Sequence, residues 1–358
     1  MDILSTNIDE LQLLMKELGQ PAYRAVQVFE WLHQRFPAAA VDTGAFSFAG
    51  MNNLPASLRA ELEKRCYITP VAVEEELRAK DGTIKFLLAI GQGEISSSRV
   101  LIESVLMEYS HGHSVCISTQ AGCRMGCVFC ATGHSGLLRN LTAGEMCMQV
   151  YAAGQSQTRS CSGERQIRNV VLMGCGEPLD NFDATMRFIE LITHPKGANL
   201  SQRHITLSTC GLIPQIYELA KRKLQITLAV SLHGPDDATR QVLMPIARAN
   251  PVKELLAACR EYANATRRRI SFEYALAQGI NDSPAQARAL AHLLKGLLCH
   301  VNLIPVNPVG LASHAPASKR QAMAFASILQ EANIPTTIRR TIGAEVNAAC
   351  GQLRAGKA

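Results

Sequence analysis

GCRMGCVFC, from Gly122 to Cys130, is the most informative segment of this 358-residue chain. Its CxxxCxxC spacing supplies three thiolates, from Cys123, Cys127 and Cys130, within one short loop. A [4Fe–4S] cluster has four irons and is held by four cysteines when fully ligated, so three ligands leave one iron open to a small molecule. Radical chemistry with S-adenosylmethionine needs that arrangement, because these cofactors carry out reactions that side chains cannot. The spacing therefore predicts a [4Fe–4S] cluster in contact with S-adenosylmethionine.

A zinc site is the alternative interpretation of the same loop. A tetrahedral zinc ion would take its fourth ligand from elsewhere, with Cys116 and Cys147 as candidates. Closed structural zinc sites are more often built from two CxxC pairs, and this sequence has no second pair. The spacing favours the cluster and leaves zinc open.

Composition and charge limit the classes of protein to which this chain can belong. The length suggests about two domains, and the hydrophobic content of 47% is enough for a sizeable core. We expect no transmembrane helix, because no run of about 18 apolar residues occurs, and the acidic, amphipathic N-terminus is unlike a signal peptide. We therefore expect a cytoplasmic protein without membrane contact. The net charge of +6 permits binding to nucleic acid but does not establish it.

The twelve cysteines are not expected to form a disulfide framework in a reducing compartment. Free cysteine is commonly a buried, packing residue. We assign that role by default to Cys66, Cys147, Cys161, Cys175, Cys210, Cys259 and Cys299.

The pattern of apolar residues changes along the chain. Residues 1–75 read as helices, residues 76–114 as a β-rich connector, and from residue 115 to about 345 strands alternate with helices, ahead of a tail at 346–358. One of these helices is expected to start at Thr142 as N-cap, with a glutamate three residues later. Alternating βα units imply a parallel sheet. Their number indicates an α/β barrel or partial barrel, with its active site at the C-terminal ends of the strands.

Polar residues follow four of the predicted barrel strands. They are Gly176 and Glu177, then Ser208, then Ser231, Leu232 and His233, and finally Asn307. Each group alone is typical of turns. Their convergence on one mouth, with the cysteine loop after the first barrel strand, predicts a binding site. Glycines there allow close backbone approach to a ligand, and the carboxylate beside them could pair with an amino group.

The chain resembles the RlmN/Cfr family of radical S-adenosylmethionine RNA methyltransferases over nearly its full length, and the RlmN branch in particular. The similar stretches are residues 21–31, 118–123, 130–133, 139–142, 173–178, 339–341 and 348–352. The last two are the most specific, because the three-cysteine loop is shared by a very large superfamily. The resemblance implies a partial (β/α)6-type radical SAM barrel with a small N-terminal helical RNA-binding domain and the β-rich connector.

The resemblance also implies a role for each candidate position. Cys123, Cys127 and Cys130 bind the cluster. The S-adenosylmethionine site is lined by Gly176, Glu177, Ser208, Ser231, Leu232, His233 and Asn307. Catalytic roles fall to Cys350, which accepts a methyl group and becomes the carbon donor, to Glu103 as general base, and to Cys116 as the resolving thiol.

The implied reaction explains this inventory. C2 of adenine is electron-poor and carries no nucleophile, so polar methyl transfer cannot reach it. One S-adenosylmethionine methylates Cys350, and a second yields a 5′-deoxyadenosyl radical that takes a hydrogen from the methylthioether. The carbon radical adds to the ring and Glu103 removes the ring proton. Cys116 then releases Cys350 by forming a disulfide, which must be reduced for turnover.

The implied partners are 23S rRNA, tRNA and a reducing protein such as flavodoxin, acting on a monomer. Three positions depart from the family pattern: Cys175 replaces a usual Met, and Val306 and Val309 replace common aromatics. Glu177 followed by Pro178 favours the C2 branch over the C8, Cfr-like branch. The competing functions are a C8 methyltransferase with the same residues, a zinc-stabilised RNA-binding module and an electron-transfer iron–sulfur protein.

Overall fold

The structure is a computed structural model that describes residues 1–34, 47–91, 99–110, 112–160, 167–307 and 315–357. Cys161 and Val309, named above, lie outside these residues. Within the described ranges, no helix combines the length and the hydropathy needed to span a bilayer.

Helices form the N-terminal region and then alternate with the strands of the barrel. Their bounds are α1 (Ile8–Glu17), α2 (Tyr23–His33), α3 (Ala56–Arg65), α4 (Ala131–His134), α5 (Ala143–Ser160), α6 (Phe182–Thr193), α7 (Ile213–Lys221), α8 (Asp237–Leu243), α9 (Val252–Thr266), α10 (Pro284–Leu294) and α11 (Lys319–Glu331).

Reciprocal caps explain where two of these helices begin. Asn7 Oδ1 accepts the Glu10 N–H at 3.0 Å, and the Glu10 carboxylate accepts the Asn7 N–H at 2.9 Å. At the start of α5, Thr142 Oγ1 accepts the Glu145 N–H at 3.1 Å, and the Glu145 carboxylate accepts the Thr142 N–H at 2.8 Å. Such bonds satisfy N–H groups that have no partner inside the helix. The N-cap predicted at Thr142 is confirmed.

The strands divide between the connector, the barrel and the tail. Their bounds are β1 (Val71–Arg78), β2 (Ile84–Ile90), β3 (Val100–Tyr109), β4 (Gly112–Cys116), β5 (Gln120–Cys123), β6 (Gly136–Asn140), β7 (Ile167–Leu172), β8 (Ile205–Thr209), β9 (Thr227–Ser231), β10 (Ile270–Leu276), β11 (Cys299–Pro305), β12 (Thr336–Ile338) and β13 (Ala355–Lys357).

One large sheet joins the connector to the barrel. Its strand order is β1-β2-β3-β4-β7-β8-β9-β10-β11-β12, with β13 paired to β3. Neighbours are antiparallel from β1 to β4 and parallel from β4 to β12. The strands β5 and β6 form a separate antiparallel hairpin. The predicted α/β fold is confirmed, and the open strand order makes the barrel a partial one.

The N-terminal helices pack directly on the barrel. Leu4 is fully buried in the same continuous hydrophobic core as the barrel strands. A Cβ added to Gly144 of α5 would lie 2.7 Å from Asp2 Oδ2 and 2.8 Å from Leu4 Cβ, so the two segments touch without spare room. Further along, His33 Nδ1 lies 2.9 Å from the Tyr151 hydroxyl of α5. The N-terminal region therefore shares its core with the barrel.

Candidate active site

An open cavity lies at the C-terminal ends of the parallel strands, where a barrel of this kind places its active site. Its empty volume is about 1000 Å³ out to the mouth. The sequence-predicted residues that line it are Cys123, Cys127, Cys130, Gly176, Glu177, Ser208, Ser231, His233, Asn307 and Cys350. The cysteine loop, the strand ends and the C-terminal tail therefore share one cavity.

Leu232 is the predicted cofactor-site residue that does not line this cavity. Its side chain is fully buried. Its N–H donates to the Glu273 carbonyl at 3.0 Å, and its carbonyl accepts from Arg240 Nε at 3.0 Å. The guanidinium of Arg240, itself fully buried, also donates to the Asn250 carbonyl at 2.9 Å. Leu232 thus fixes the loop after β9 through its backbone.

A close hairpin and an ion pair fix the cysteine loop. Gly122 has a φ of +84°, and an added Cβ would lie 1.9 Å from the Gly136 carbonyl oxygen, so glycine is required there. This contact holds the end of β5, which carries Cys123. One residue on, Arg124 Nε donates to the Asp180 carboxylate at 2.9 Å. The loop is therefore tied to the segment that follows Glu177.

The chemistry of the three cysteines fits an iron–sulfur cluster. Burial raises the pKa of Cys123 to about 12 and also raises the pKa of Cys127, and neighbouring thiols and Glu177 add to both effects. Thiols in such surroundings ionise when bound metal compensates their charge. Cys123, Cys127 and Cys130 would hold the cluster. Among the described residues, no three or more His, Cys, Asp or Glu side chains are spaced around a single metal ion.

Glu177 presents a buried carboxylate on the cavity wall. Its two oxygens accept the Leu179 N–H at 3.0 Å and the Cys210 N–H at 2.7 Å. Burial raises the pKa of Glu177, and these hydrogen bonds oppose the rise. A ligand ammonium at this wall would supply the opposite charge that a buried carboxylate lacks. The geometry suits recognition of an amino group.

His233 is neutral and held in one orientation. Its backbone adopts a left-handed conformation with φ of 54°. Its Nδ1 accepts the Ala275 N–H at 2.9 Å, which assigns the ring proton to Nε2. Burial lowers the pKa of His233 to about 3. The ring stands edge-on to Phe129 of the cysteine loop, with centroids 4.7 Å apart. His233 can therefore donate a hydrogen bond and pack the cysteine loop, but it does not carry charge.

The segment after Cys350 is anchored to α4. The Ala131 N–H donates to the Gly351 carbonyl at 2.7 Å. The next side chain along α4, Thr132, donates through Oγ1 to the Leu353 carbonyl at 2.6 Å. These bonds bring the tail to the turn that follows the last cysteine of the loop.

Two further contacts complete the placement of the tail. Asn307 Nδ2 donates to the Cys350 carbonyl at 3.1 Å, so this predicted cofactor-site residue also positions the predicted catalytic cysteine. Beyond it, β13 pairs antiparallel with β3 of the connector. The sequence pattern gives no sign of this short strand.

Cys350 and Cys116 line a second, smaller cavity that adjoins the first. Burial raises the pKa of Cys116 to about 12; the charge of Cys350 adds to the rise and that of Arg339 opposes it. All described cysteines are free thiols. The structure therefore brings the two predicted catalytic thiols together in the reduced state.

Glu103, the predicted general base, lies beside this region and is not among the residues that line either cavity. Its carboxylate accepts from Lys85 Nζ at 3.0 Å and from the Arg354 N–H at 2.8 Å. Its side chain is 12% exposed. In this arrangement Glu103 holds the tail to β3.

Three ionisable residues of the cavity receive no functional role from the sequence alone: Glu273, Arg339 and Cys210. Glu273 accepts from Ser271 Oγ and from Asn302 Nδ2, both at 2.8 Å. Burial raises the pKa of Glu273. The sequence signal that could have identified Glu273 is a single acidic residue within a stretch of strand-forming residues. Cys210 packs as expected and also faces the cavity, whereas Arg339 stands out only as part of the tail motif.

Two family profiles match the chain. The Radical SAM superfamily profile matches residues 117–290. The profile described as the ribosomal RNA large subunit methyltransferase N-terminal domain matches residues 1–68. Together they cover the N-terminal helices and most of the parallel barrel.

Relatives match the chain along its whole length. A curated protein of Clostridium botulinum (strain Alaska E43 / Type E3), named "Probable dual-specificity RNA methyltransferase RlmN", is 48% identical over 354 residues, which are 99% of this chain and 96% of the relative. Its namesake in Clostridium acetobutylicum is 46% identical over the same shares of both chains. A crystal structure of a radical SAM methyltransferase from Sphaerobacter thermophilus shares 44% identity with a TM-score of 0.90, covering 99% of both chains. The chain therefore belongs to the RlmN family of radical S-adenosylmethionine RNA methyltransferases.

Proposed function

We propose that this protein methylates C2 of an adenosine in 23S rRNA and in tRNA through a methyl-cysteine intermediate. The proposal rests on one observation: Cys350 and Cys116 line the same cavity, which adjoins the cavity lined by the three-cysteine loop. Full-length similarity to dual-specificity RNA methyltransferases supports the substrate class. An electron-transfer protein would have no use for this second pair of thiols.

The cofactors are a [4Fe–4S] cluster and two molecules of S-adenosylmethionine per turnover. When bound, they supply a methyl group and a 5′-deoxyadenosyl radical. Glu177 binds the amino group of S-adenosylmethionine, and His233 offers it a hydrogen bond from Nε2. Ser208 and Ser231, both half-buried on the cavity wall, supply further hydroxyl groups. Cys350 carries the methyl group between the cofactor and the RNA.

The last steps use residues that flank the tail. Glu103 takes the proton from the adenine ring, since it is the carboxylate that the Arg354 N–H holds beside the tail. Cys116 attacks the adduct at the Cys350 sulfur: the S–S bond forms as the C–S bond breaks, and the methylene carbon leaves with the electron pair and takes up a proton to become the C2 methyl group. The unpaired electron of the adduct would return to the bound cluster. That disulfide is then reduced, because both thiols must be free for the next turnover.

The protein acts in the cytoplasm as a monomer with a reducing partner such as flavodoxin. Its N-terminal helical region docks RNA, which the profile match to residues 1–68 supports. Lys64 of α3 is exposed there and pairs with Glu61 at 2.8 Å, and Arg24 donates to Gln27 Oε1 at 2.7 Å. Because this region shares the barrel core, substitution at Lys64 tests docking better than truncation.

Isomer-resolved mass spectrometry of RNA tests the proposal. RNA from cells with and without the protein is digested to nucleosides, and the methyladenosine isomers are separated. We expect 2-methyladenosine in 23S rRNA and tRNA only when the protein is present. Appearance of 8-methyladenosine instead would assign the protein to C8 chemistry. Absence of any protein-dependent methyladenosine, with a colourless zinc-containing protein, would support an RNA-binding module.

A further inference from the structure

Arg339 occupies the junction of the cavities around Cys350. It follows β12, and its N–H donates to the Leu303 carbonyl at 2.8 Å. Its side chain lines the main cavity, the adjoining cavity with Cys116, and a third cavity at the tail. Cys350 lines the same three cavities. This backbone hydrogen bond to β11 fixes the position from which the Arg339 side chain extends.

The charges around this guanidinium come from four different elements. Cys350 contributes from the tail, Glu273 from β10, Tyr109 from β3 and Cys116 from β4. The charge on Cys350 is the largest of these influences, and it raises the pKa of Arg339 despite partial burial. Tyr109 also shares a hydrogen bond with the guanidinium.

Among the described residues, Arg339 is the cationic side chain that lines both the main cavity and the adjoining cavity that contains Cys350 together with Cys116. The neighbouring Arg340 lines only the third, outer cavity and is exposed. Cys175 adds a further negative charge near Cys116 when ionised, and the cluster ligand Cys130 lines the same cavity as Cys116. Arg339 is therefore the group in position to balance a thiolate here.

We propose that Arg339 is the counter-cation of the Cys350 and Cys116 thiolates. The inference rests on the proposed function, in which Cys350 accepts a methyl group and Cys116 forms a disulfide. Both reactions use the thiolate, and adjacent Arg favours that form.

The test measures alkylation of Cys350 by iodoacetamide between pH 6 and pH 10 without RNA. The protein carries its reconstituted cluster and an unmethylated Cys350, and peptide mass spectrometry follows this cysteine alone. Arg339→Gln should slow alkylation at neutral pH about tenfold and move the midpoint to higher pH, since each tenfold loss of thiolate corresponds to one pKa unit. Arg340→Gln, the matched control, should behave like the unaltered protein.

Arg339→Lys keeps the charge and covers the case in which Arg339→Gln does not fold. We expect its alkylation rate to stay within about threefold of the unaltered protein, because the charge remains. An unchanged rate and midpoint in Arg339→Gln would overturn the proposal, and so would a tenfold loss in Arg339→Lys. Because no RNA is present, this assay can fail while the RNA product is correct, so the two proposals are tested separately.

Discussion

The two walls of the active-site cavity are built differently. The wall with Cys123, Cys127 and Cys130 grows out of a hairpin whose glycine contact admits no side chain, and the Arg124–Asp180 pair ties it to the barrel. The wall with Cys350 is a tail held by a few hydrogen bonds to α4, to Asn307 and to Glu103 and by the short pairing of β13 with β3.

This difference predicts how substitutions in one wall of the cavity affect the other wall. An individual hydrogen bond contributes about 1 kcal/mol net, so the tail can open locally while the barrel stays folded. The cysteine loop is fixed by the close contact within the β5–β6 hairpin and by the Arg124–Asp180 pair, so we expect it to open less readily than the tail. The cofactor half of the site should therefore survive changes in the thiol half.

The largest expected effect comes from the cysteine loop. Cys127→Ala should abolish both cluster binding and RNA methylation, because it removes one of three sulfur ligands. Cys350→Ala should abolish methylation yet keep the full iron content. Iron and sulfide analysis of anaerobically purified proteins measures this, with Cys299→Ala at a buried cysteine outside the cavity as the control. Full iron and turnover in Cys127→Ala would contradict the cluster assignment.

The next prediction distinguishes Cys116 from Cys175, two buried thiols that pack beside the tail. Cys116→Ala should trap the protein covalently on RNA, since Cys350 then has no thiol to release it. Cys175→Ala is the matched control, because Cys175 packs in the same apolar cluster as Cys116. Denaturing gels of protein incubated with RNA reveal the adduct. An active Cys116→Ala protein without a cross-linked species would reject the resolving role.

A smaller effect should appear when one hydrogen bond that anchors the tail is removed. Thr132→Val conserves volume but leaves the buried Leu353 carbonyl without its donor, at a cost of about 1–3 kcal/mol. Hydrogen exchange of the C-terminal peptide should accelerate about tenfold, while iron content stays the same. Thr193→Val, which removes a hydroxyl bonded within α6, is the control. Equal exchange in both variants would mean that this bond does not anchor the tail.

The last effect lies outside both walls, at His33, and concerns stability alone. Burial lowers its pKa from 6.5 to about 3, so between these values the unfolded chain binds a proton that the folded chain does not. The free energy of unfolding should therefore fall as pH drops from 6.5 toward 3. His33→Gln should flatten this dependence, as measured by urea denaturation at several pH values. An unaltered slope would show that His33 is not buried in the neutral form.

The placement of the three cysteines at one cavity was predictable because they lie within eight residues, and the α5 cap at Thr142 was predictable because capping is local. The tail was not. The segment Ala355–Lys357 has weak strand propensity and becomes β13 only because the β3 edge offers a partner. Likewise, the sequence pattern cannot show that Arg354 reaches Glu103 across the fold, or that Leu232 contributes backbone contacts and not a cavity-lining side chain.

The most direct test of the central claim is the mass of the Cys350 peptide. The protein is made with S-adenosylmethionine available, and its ability to methylate RNA is verified on the same preparation. We predict one extra methyl group on Cys350, whose thiolate is the competent acceptor. A preparation that methylates RNA while Cys350 stays unmodified throughout would contradict the account.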